Sequence, residues 1–413
     1  MTPEPRERAP LGAFLGGVLA SQTVNNALHL AQPLLIARLS GSLGEAAFFS
    51  AFDTAVHMAG TAVGGWPADK IGARRLLILS TLGRGAALAL IPALWAAGRL
   101  TAGSAMAAYT LDAAVRGLTD TAVHTLPLEL AEHERAELDR LNSRYELVFD
   151  LGAVAGPLLL GAMMLWMRGA AVHALIPLGF ALSALVFVAV PERSLSARRP
   201  ARAPRAPAGG TREGLRLVAL SPELLFSCLS LALLNLYPLR KLMSAFFAKA
   251  LLQVPAAAGW VGAAFGAGGA LGSLLYARFR GRGTGAGWVA AGAAGTVLLA
   301  VGWLPGSLSV MLASVFVFAL ANVGARLAMT ARLQLDTPPE TAGGVTAVAR
   351  FGQNAVSVGL KALLGAAFAL GAGPRAAFGL VGAGLGLLAA LQLAAAARLA
   401  GRPAPAALPE PAA

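Results

Sequence analysis

The sequence predicts an all-α membrane protein with twelve transmembrane helices in two pseudo-symmetric six-helix bundles. Three observations carry that prediction. Hydrophobic residues make up 57% of the chain and charged residues only 13%, about half the charged share of an ordinary soluble domain. Apolar stretches near the ~20 residues that a helix needs to cross the hydrocarbon core recur along the whole chain. The cations fall on alternate loops: with the N-terminus in the cytoplasm, 21 of the 33 Lys and Arg lie on the inner side and seven within spans, while the outer side takes only Arg38, Arg99, Arg168, Lys249 and Arg375. Inner loops carry such an excess, so both termini are expected in the cytoplasm. The same tally accounts for the net charge of +13 and leaves no soluble basic face for a nucleic-acid partner.

The first span, residues 11–37, is too long and too polar for a cleaved signal segment, because Gln22, Asn25, Asn26, His29 and Gln32 interrupt it. Asn25, Asn26 and His29 become candidates for substrate or coupling contacts. The second span, 46–67, carries Asp53 and His57 four residues apart, a spacing at which a carboxylate can tune an imidazole; a satisfied buried histidine is an equally good reading. Between this span and the third (76–97) lies a joint that combines Gly65, Asp69, Lys70, Gly72, Arg74 and Arg75. Its glycines allow tight turning, its carboxylate can meet a helix N-terminus, and its cations face an anionic leaflet.

The fourth span, 103–128, places Asp112, Arg116, Asp120 and His124 on one helical stripe. Ionisable groups inside spans cost about 2.5–3.5 kcal/mol each on insertion scales and are functional candidates by default, although an ion-pair ladder of purely structural purpose fits the same spacing. The fifth span, 145–167, holds Gly152, Gly156, Pro157 and Gly161. Small residues at every fourth position let helices pack closely in lipid, and the proline bends the helix. The sixth span covers 170–190.

Residues 191–217 break the apolar rhythm with four prolines and seven arginines and read as a cytoplasmic linker. It divides an N-terminal bundle (1–190) from a C-terminal bundle (218–400), which a tail (401–413) follows. The second bundle has spans at 222–247, 256–277, 286–304, 308–331, 343–370 and 376–397. Its intramembrane charges are all cations: Arg240 and Lys241 beside Asn235 in the seventh span, Arg326 in the tenth, and Arg350 and Lys361 in the eleventh. Aligning Arg38 with Lys249 puts Arg240 opposite His29, deep in the membrane; aligning Pro33 with Pro238 puts it near the outer surface, where it would snorkel. The deep register is the one adopted here. An internal repeat is visible in the joints. Gly65 to Arg75 has a degraded counterpart in Gly272 to Arg282, and Glu134 with Arg144-Tyr145 is echoed at an offset of 206 by Glu340 with Arg350-Phe351.

The joint from Gly65 to Arg75 resembles the conserved loop between helices two and three of the major facilitator superfamily. Gly152 to Gly161 resembles the glycine-proline motif of its antiporter branches. Val24-Asn25-Asn26-Ala27-Leu28 is similar to a first-helix motif of drug/proton exporters, with Ser21 and His29 in place of the usual aspartate and proline. Arg116 stands where members with a fourth-helix arginine place theirs. The resemblance implies a twelve-helix monomer that works by alternating access, with the joint as a conformational latch and no cofactor.

Enzyme chemistry has little footing. There is no phosphate-binding glycine loop, no His-Glu-x-x-His and no nucleophile elbow. The lone Cys228 excludes a disulfide framework or a cysteine metal cluster. A second half whose intramembrane charges are cationic favours anions or zwitterions. The expected function is therefore proton-coupled export of a small organic anion or zwitterion across a bacterial-type inner membrane, the partners being the bilayer, the substrate and protons. A multidrug antiporter, a metal-ion exporter and a non-transporting sensor remain open alternatives.

Overall fold

The computed structural model describes residues 5–64, 67, 70–130, 135–167, 172–190, 211–279, 285–337 and 341–400, and these are helical almost throughout. The first half contains α1 (Pro5–Leu39), α2 (Leu43–Val63), α3 (Ala73–Ala96), α4 (Ala102–Leu130), α5 (Arg135–Trp166) and α6 (Val172–Val188). The second half contains α7 (Thr211–Leu220), α8 (Pro222–Leu234), α9 (Tyr237–Phe246) with a π-helical turn (Phe247–Leu251), α10 (Ala257–Phe279), α11 (Gly285–Gly302), α12 (Leu308–Asp336), α13 (Ala342–Ala369) and α14 (Pro374–Ala400).

Composition alone marks six of these, among the described residues, as long and apolar enough to cross a membrane: Ala73–Ala96, Leu147–Trp166, Pro222–Leu251, Ala257–Tyr276, Leu308–Leu333 and Pro374–Ala394; two shorter apolar helices, Val172–Val188 and Gly287–Gly302, join them. The other four spans are α1, α2, α4 and α13. Their apolar runs are interrupted by the polar and charged residues that build the cavity described below.

Local chemistry sets the element ends. Ser42 caps α2 by accepting from the Glu45 backbone N–H at 3.1 Å, and Ser221 caps α8 at 3.3 Å with Pro222 in the first turn. On the side away from the termini, α3 stops at Gly98 (φ +67°) and the turn after α11 uses Gly306 (φ +68°). Both are left-handed positions that suit glycine, and they mark equivalent turns of the two halves.

The seventh span is not the single helix expected for 222–247. It breaks at Asn235–Leu236, because Pro238 has no N–H to give the Leu234 carbonyl four residues before it. That carbonyl accepts instead from Asn322 Nδ2 of α12 at 2.9 Å. The expected linker likewise ends in structure: α7 covers its last residues, and Gly214 packs directly on Gly344 of α13.

Within the first half, α1 packs on α5 and α6, α3 on α4 and α6, and α2 on α4; in the second, α12 packs on α10 and α11, and α11 on α14. Two extensive crossings join the halves, α2 against α13 and α5 against α10, and α1 also packs on α9. At the second, Gly161 faces Gly259, and Pro157 fits against Gly259 and Gly262. The buried apolar residues form one continuous core across both halves at the end away from the termini, containing Leu35, Phe49, Phe246, Trp303 and Phe378. At the end that carries the termini they form two separate cores, one around Phe14, Leu77 and Tyr145 and one around Phe226, Met329 and Val345. Among the described residues the halves therefore share a core at one end and keep separate cores at the other.

The crossing of α2 and α4 depends on glycine: a Cβ on Gly117 would collide with the backbone of Gly60 and Thr61, and one on Gly60 with the Ala114 carbonyl. Gly117→Ala is expected to cost about 1–3 kcal/mol through overpacking and to lower the melting midpoint of the purified protein. Gly359→Ala, whose Cβ would meet nothing within 4 Å, should leave the midpoint unchanged; both are read by differential scanning fluorimetry.

Candidate functional site

A cavity of about 130 Å³ lies between the halves. Asn25, His29 and Gln32 of α1, Ser50, Asp53, Thr54 and His57 of α2, Arg116 and Asp120 of α4, Lys241 and Leu242 of α9, and Asn354 and Lys361 of α13 line it. Leu242 is the one apolar side chain in this wall.

The close approach of α2 and α4 at Gly60 and Gly117 aligns two successive turns of each helix. His57 Nε2 meets Asp120 Oδ2 at 2.7 Å, and Arg116 Nη2 donates to Asp53 Oδ2 at 2.7 Å. Sequence spacing pairs Asp53 with His57 along one helix. The structure instead pairs each across to α4, because side chains facing each other over a glycine crossing are closer than neighbours one turn apart that both point at the partner helix.

Behind this front row, charge alternates into the bundle. Arg116 Nη1 lies 3.5 Å from Asp112 Oδ2, and Asp112 Oδ1 accepts from Arg84 Nε of α3 at 2.8 Å. Arg84 Nη2 donates to Asn25 Oδ1 at 2.8 Å, and its guanidinium stacks 4.2 Å above the Phe180 ring. Gln32 Nε2 donates to Asp53 Oδ1 at 3.1 Å. Arg84 is 2% exposed and Asp112 1%, so Arg84 depends on Asp112 for its countercharge, while Asp112 is shared between Arg84 and Arg116.

The sequence candidates thus divide. Asn25, His29, Asp53, His57, Arg116, Asp120 and Lys241 share the cavity wall. Asp112 stands behind it. Asn26 does not reach it: Nδ2 donates to the Gln22 carbonyl at 2.7 Å, and its Cβ faces Gly156 of α5, so it belongs to the α1–α5 contact. Asn235 sits in the helix break, and Arg326 lies outside the lining. Arg240 is buried with its guanidinium 3.9 Å above the Phe265 ring, which excludes the snorkelling register. Its neighbour Lys241 is the one that shares the cavity with His29. His124 points away, with its ring 5.6 Å from that of Tyr145.

Of the expected latch, Gly65 and Asp69 lie outside the described residues. Lys70 and Arg75 are exposed, and Gly72 takes φ +85° at the start of α3. Arg74 donates to the Val190 carbonyl and, at 2.6 Å, to that of Val188. It thereby satisfies the open carbonyl end of α6, a favourable place for a cation. The packing motif serves two neighbours. Gly152 and Gly156 admit Gln22, Thr23 and Asn26 of α1, while Pro157 and Gly161 meet α10. Among the described residues no group of three His, Cys, Asp or Glu could hold a metal ion.

Sequence reasoning did not single out Arg84, Gln32, Asn322 or Asn354. Arg84 could have been found by the rule that flagged Arg116, since a guanidinium in mid-span needs a partner. The amides carry no charge and gave no such signal.

The model of the family described as the Major Facilitator Superfamily matches residues 12–252. The chain is 28% identical over 278 residues to the multidrug efflux pump Tap of Mycolicibacterium fortuitum, covering 66% of this chain and 67% of that one. To the protein of the same name in Mycobacterium tuberculosis it is 27% identical over 276 residues, and the match spans 65% of the length of each. In architecture it is similar to the nucleoside transporter NupG (TM-score 0.70, 12% identity, 94% of this chain and 98% of that one). A bacterial homologue of the human lysosomal transporter Spinster gives a TM-score of 0.73 at 14% identity, over 98% and 100% of the two chains.

Arg84→Met leaves the buried Asp112 with only its longer, 3.5 Å contact to Arg116 and is expected to destabilise by about 3 kcal/mol. Adding Asp112→Leu should recover much of the lost melting midpoint, because the pair is then replaced by apolar contact. Thermal unfolding of the single and double variants measures the coupling.

Proposed function

The chain belongs to the major facilitator superfamily, and on that premise we propose that it exports a small organic anion or zwitterion in exchange for protons. The cavity composition carries this reading. Arg116, Lys241 and Lys361 face it against two carboxylates, Asp53 and Asp120, and each of these is already paired with a basic partner at 2.7 Å. An acidic group entering from one side meets a net positive, largely enclosed surface, where attraction is strong.

The proton has a natural seat in the His57–Asp120 pair, which borders the cavity and can hold or release one proton between imidazole and carboxylate. Its neighbour Asp53 is engaged by Arg116, so the two carboxylates have different tasks: Asp53 anchors the arginine, and Asp120 answers to the histidine. With both termini in a bacterial-type inner membrane's cytoplasmic side, the end with the shared core is the outer one and the cavity is reached from within. Rocking of the halves about the α2–α13 and α5–α10 crossings would then expose it to the other face. The resemblance to the superfamily implies that the protein acts as a monomer.

A second reading takes its support from the relatives described as multidrug efflux pumps: binding of lipophilic compounds. The cavity wall argues against it for cations, because among the described residues it offers no Phe, Tyr or Trp ring and has a positive charge excess. A panel of organic anions, zwitterions and lipophilic cations, scored by the rise in melting midpoint of the purified protein, separates the two. Anion stabilisation that is lost in Lys241→Met supports the first reading, and stabilisation by lipophilic cations that survives Lys241→Met overturns it. In proteoliposomes, Asp120→Asn is expected to abolish transport driven by a pH gradient while substrate counterflow continues. Retention of the pH-driven flux would remove the pair from coupling.

A further inference from the structure

Lys361 on α13 is 4% exposed and lines the cavity. Its Nζ donates to Thr54 Oγ1 at 2.7 Å and to the Ser50 carbonyl at 3.2 Å, both on α2. The same carbonyl accepts from Thr54 Oγ1 at 3.0 Å. Both acceptors are neutral oxygens. No carboxylate among the described residues reaches this ammonium within ion-pair distance; Asp53, on the same face of α2, is held by Arg116 and Gln32. An ammonium has three N–H groups, so one donor and the whole positive charge are left facing the cavity.

The two bonds also join the halves, and they do so at the inner edge of the α2–α13 seam. Further along that seam toward the end with the shared core, Gly365 packs on Phe48, and Gly44 packs on Gly365, Phe368 and Ala369. The seam is close-packed, with glycines seated against Phe48, Phe368 and backbone and Lys361 as its polar contact at the cavity.

We propose that Lys361 is both the receptor for the substrate's acidic group and a clasp that this group releases. An ionised carboxylate attracts an ammonium more strongly than a neutral hydroxyl or carbonyl oxygen does, because both partners then carry charge, so an acidic group that binds the open N–H draws Nζ away from Thr54 and Ser50. Occupancy then removes the polar link between α2 and α13 and favours the state in which the seam parts, which is what a ligand must do to drive a conformational exchange. The inference rests on the anion reading of the cavity, and it adds the residue that senses the anion and the contact through which occupancy is felt.

The test uses the full chain in a Cys228→Ser background with spin labels at Glu45 and Leu370, which are exposed at the outer ends of α2 and α13. Distances by pulsed electron resonance and melting midpoints are recorded with acetate, benzoate, citrate and, as the uncharged control, benzamide. In the parent, at least one anion is expected to raise the midpoint and lengthen the distance, and benzamide to do neither. Thr54→Val should lengthen the distance without ligand yet keep the anion-dependent rise in midpoint. Lys361→Met should lose that rise. Retention of the rise in Lys361→Met overturns the receptor role, and an unchanged ligand-free distance in Thr54→Val overturns the clasp. Failure of every anion to stabilise the parent would overturn the anion reading itself, and the receptor role with it. The ligand-free distance in Thr54→Val does not depend on that result.

Discussion

The need to neutralise charge inside a lipid-facing bundle is the constraint on which the first half is organised. Arg84, Asp112, Arg116 and Asp53 form an alternating chain through three helices; all four are buried, and only Arg116 and Asp53 border the cavity. Charges of this kind persist only when geometry brings countercharges within hydrogen-bond distance. The α2–α4 crossing supplies that geometry, and it exists because Gly60 and Gly117 have no side chains to hold the helices apart. Glycines, ion pairs and cavity are one construction: the small residues set the distance, the distance permits the pairs, and the pairs permit polar groups to face a central space.

The second half meets the same lipid with a different device. Its carboxylates among the described residues, Glu213, Glu223 and Asp336, stand in terminal turns of their helices, and deeper polar burial is handled by amide and backbone. Pro238 frees the Leu234 carbonyl, and Asn322 satisfies it, so the seventh span bends where its lower and upper parts must face different neighbours. The bend brings Lys241 to the cavity, while Arg240, one residue before it, lies over Phe265. Lys241 and Lys361 on one side, and carboxylates already paired with Arg116 and His57 on the other, leave the central space with a surplus of one sign.

The architecture was legible in the sequence because its signals are additive over many residues. Apolar run length, loop cations and the repeat offset of the joints each average over local accidents, and the twelve-helix fold follows. The site was legible only in part. Charged residues in spans announce themselves by their cost, and Asp53, His57, Arg116, Asp120 and Lys241 were found that way. Partner choice was not legible: a four-residue spacing joins Asp53 to His57, whereas the glycine crossing of α2 and α4 pairs each with a residue 63 positions away in sequence. Asn26 misled for the same reason, because one helical face cannot be told from the next until the neighbouring helix is known. Neutral amides such as Asn322 and Gln32 gave no warning, since their value appears only beside the specific oxygen each one serves.

The division of the apolar core has a mechanical meaning that follows from packing alone. A core shared by both halves at one end resists separation there, because parting it would open apolar surface and lose close contacts. Two independent cores at the other end let each bundle keep its own packing while the gap between them widens or narrows. The low-cost motion is therefore rotation of one intact bundle against the other about the central seams, not deformation within a bundle. The α2–α13 and α5–α10 crossings are suited to that motion since both are built on glycine, which allows the halves to approach closely without interlocking side chains. Polar contacts at the level of the cavity can bias such a rotation far more readily than contacts at either end, because they are the groups that an occupant of the cavity can reach.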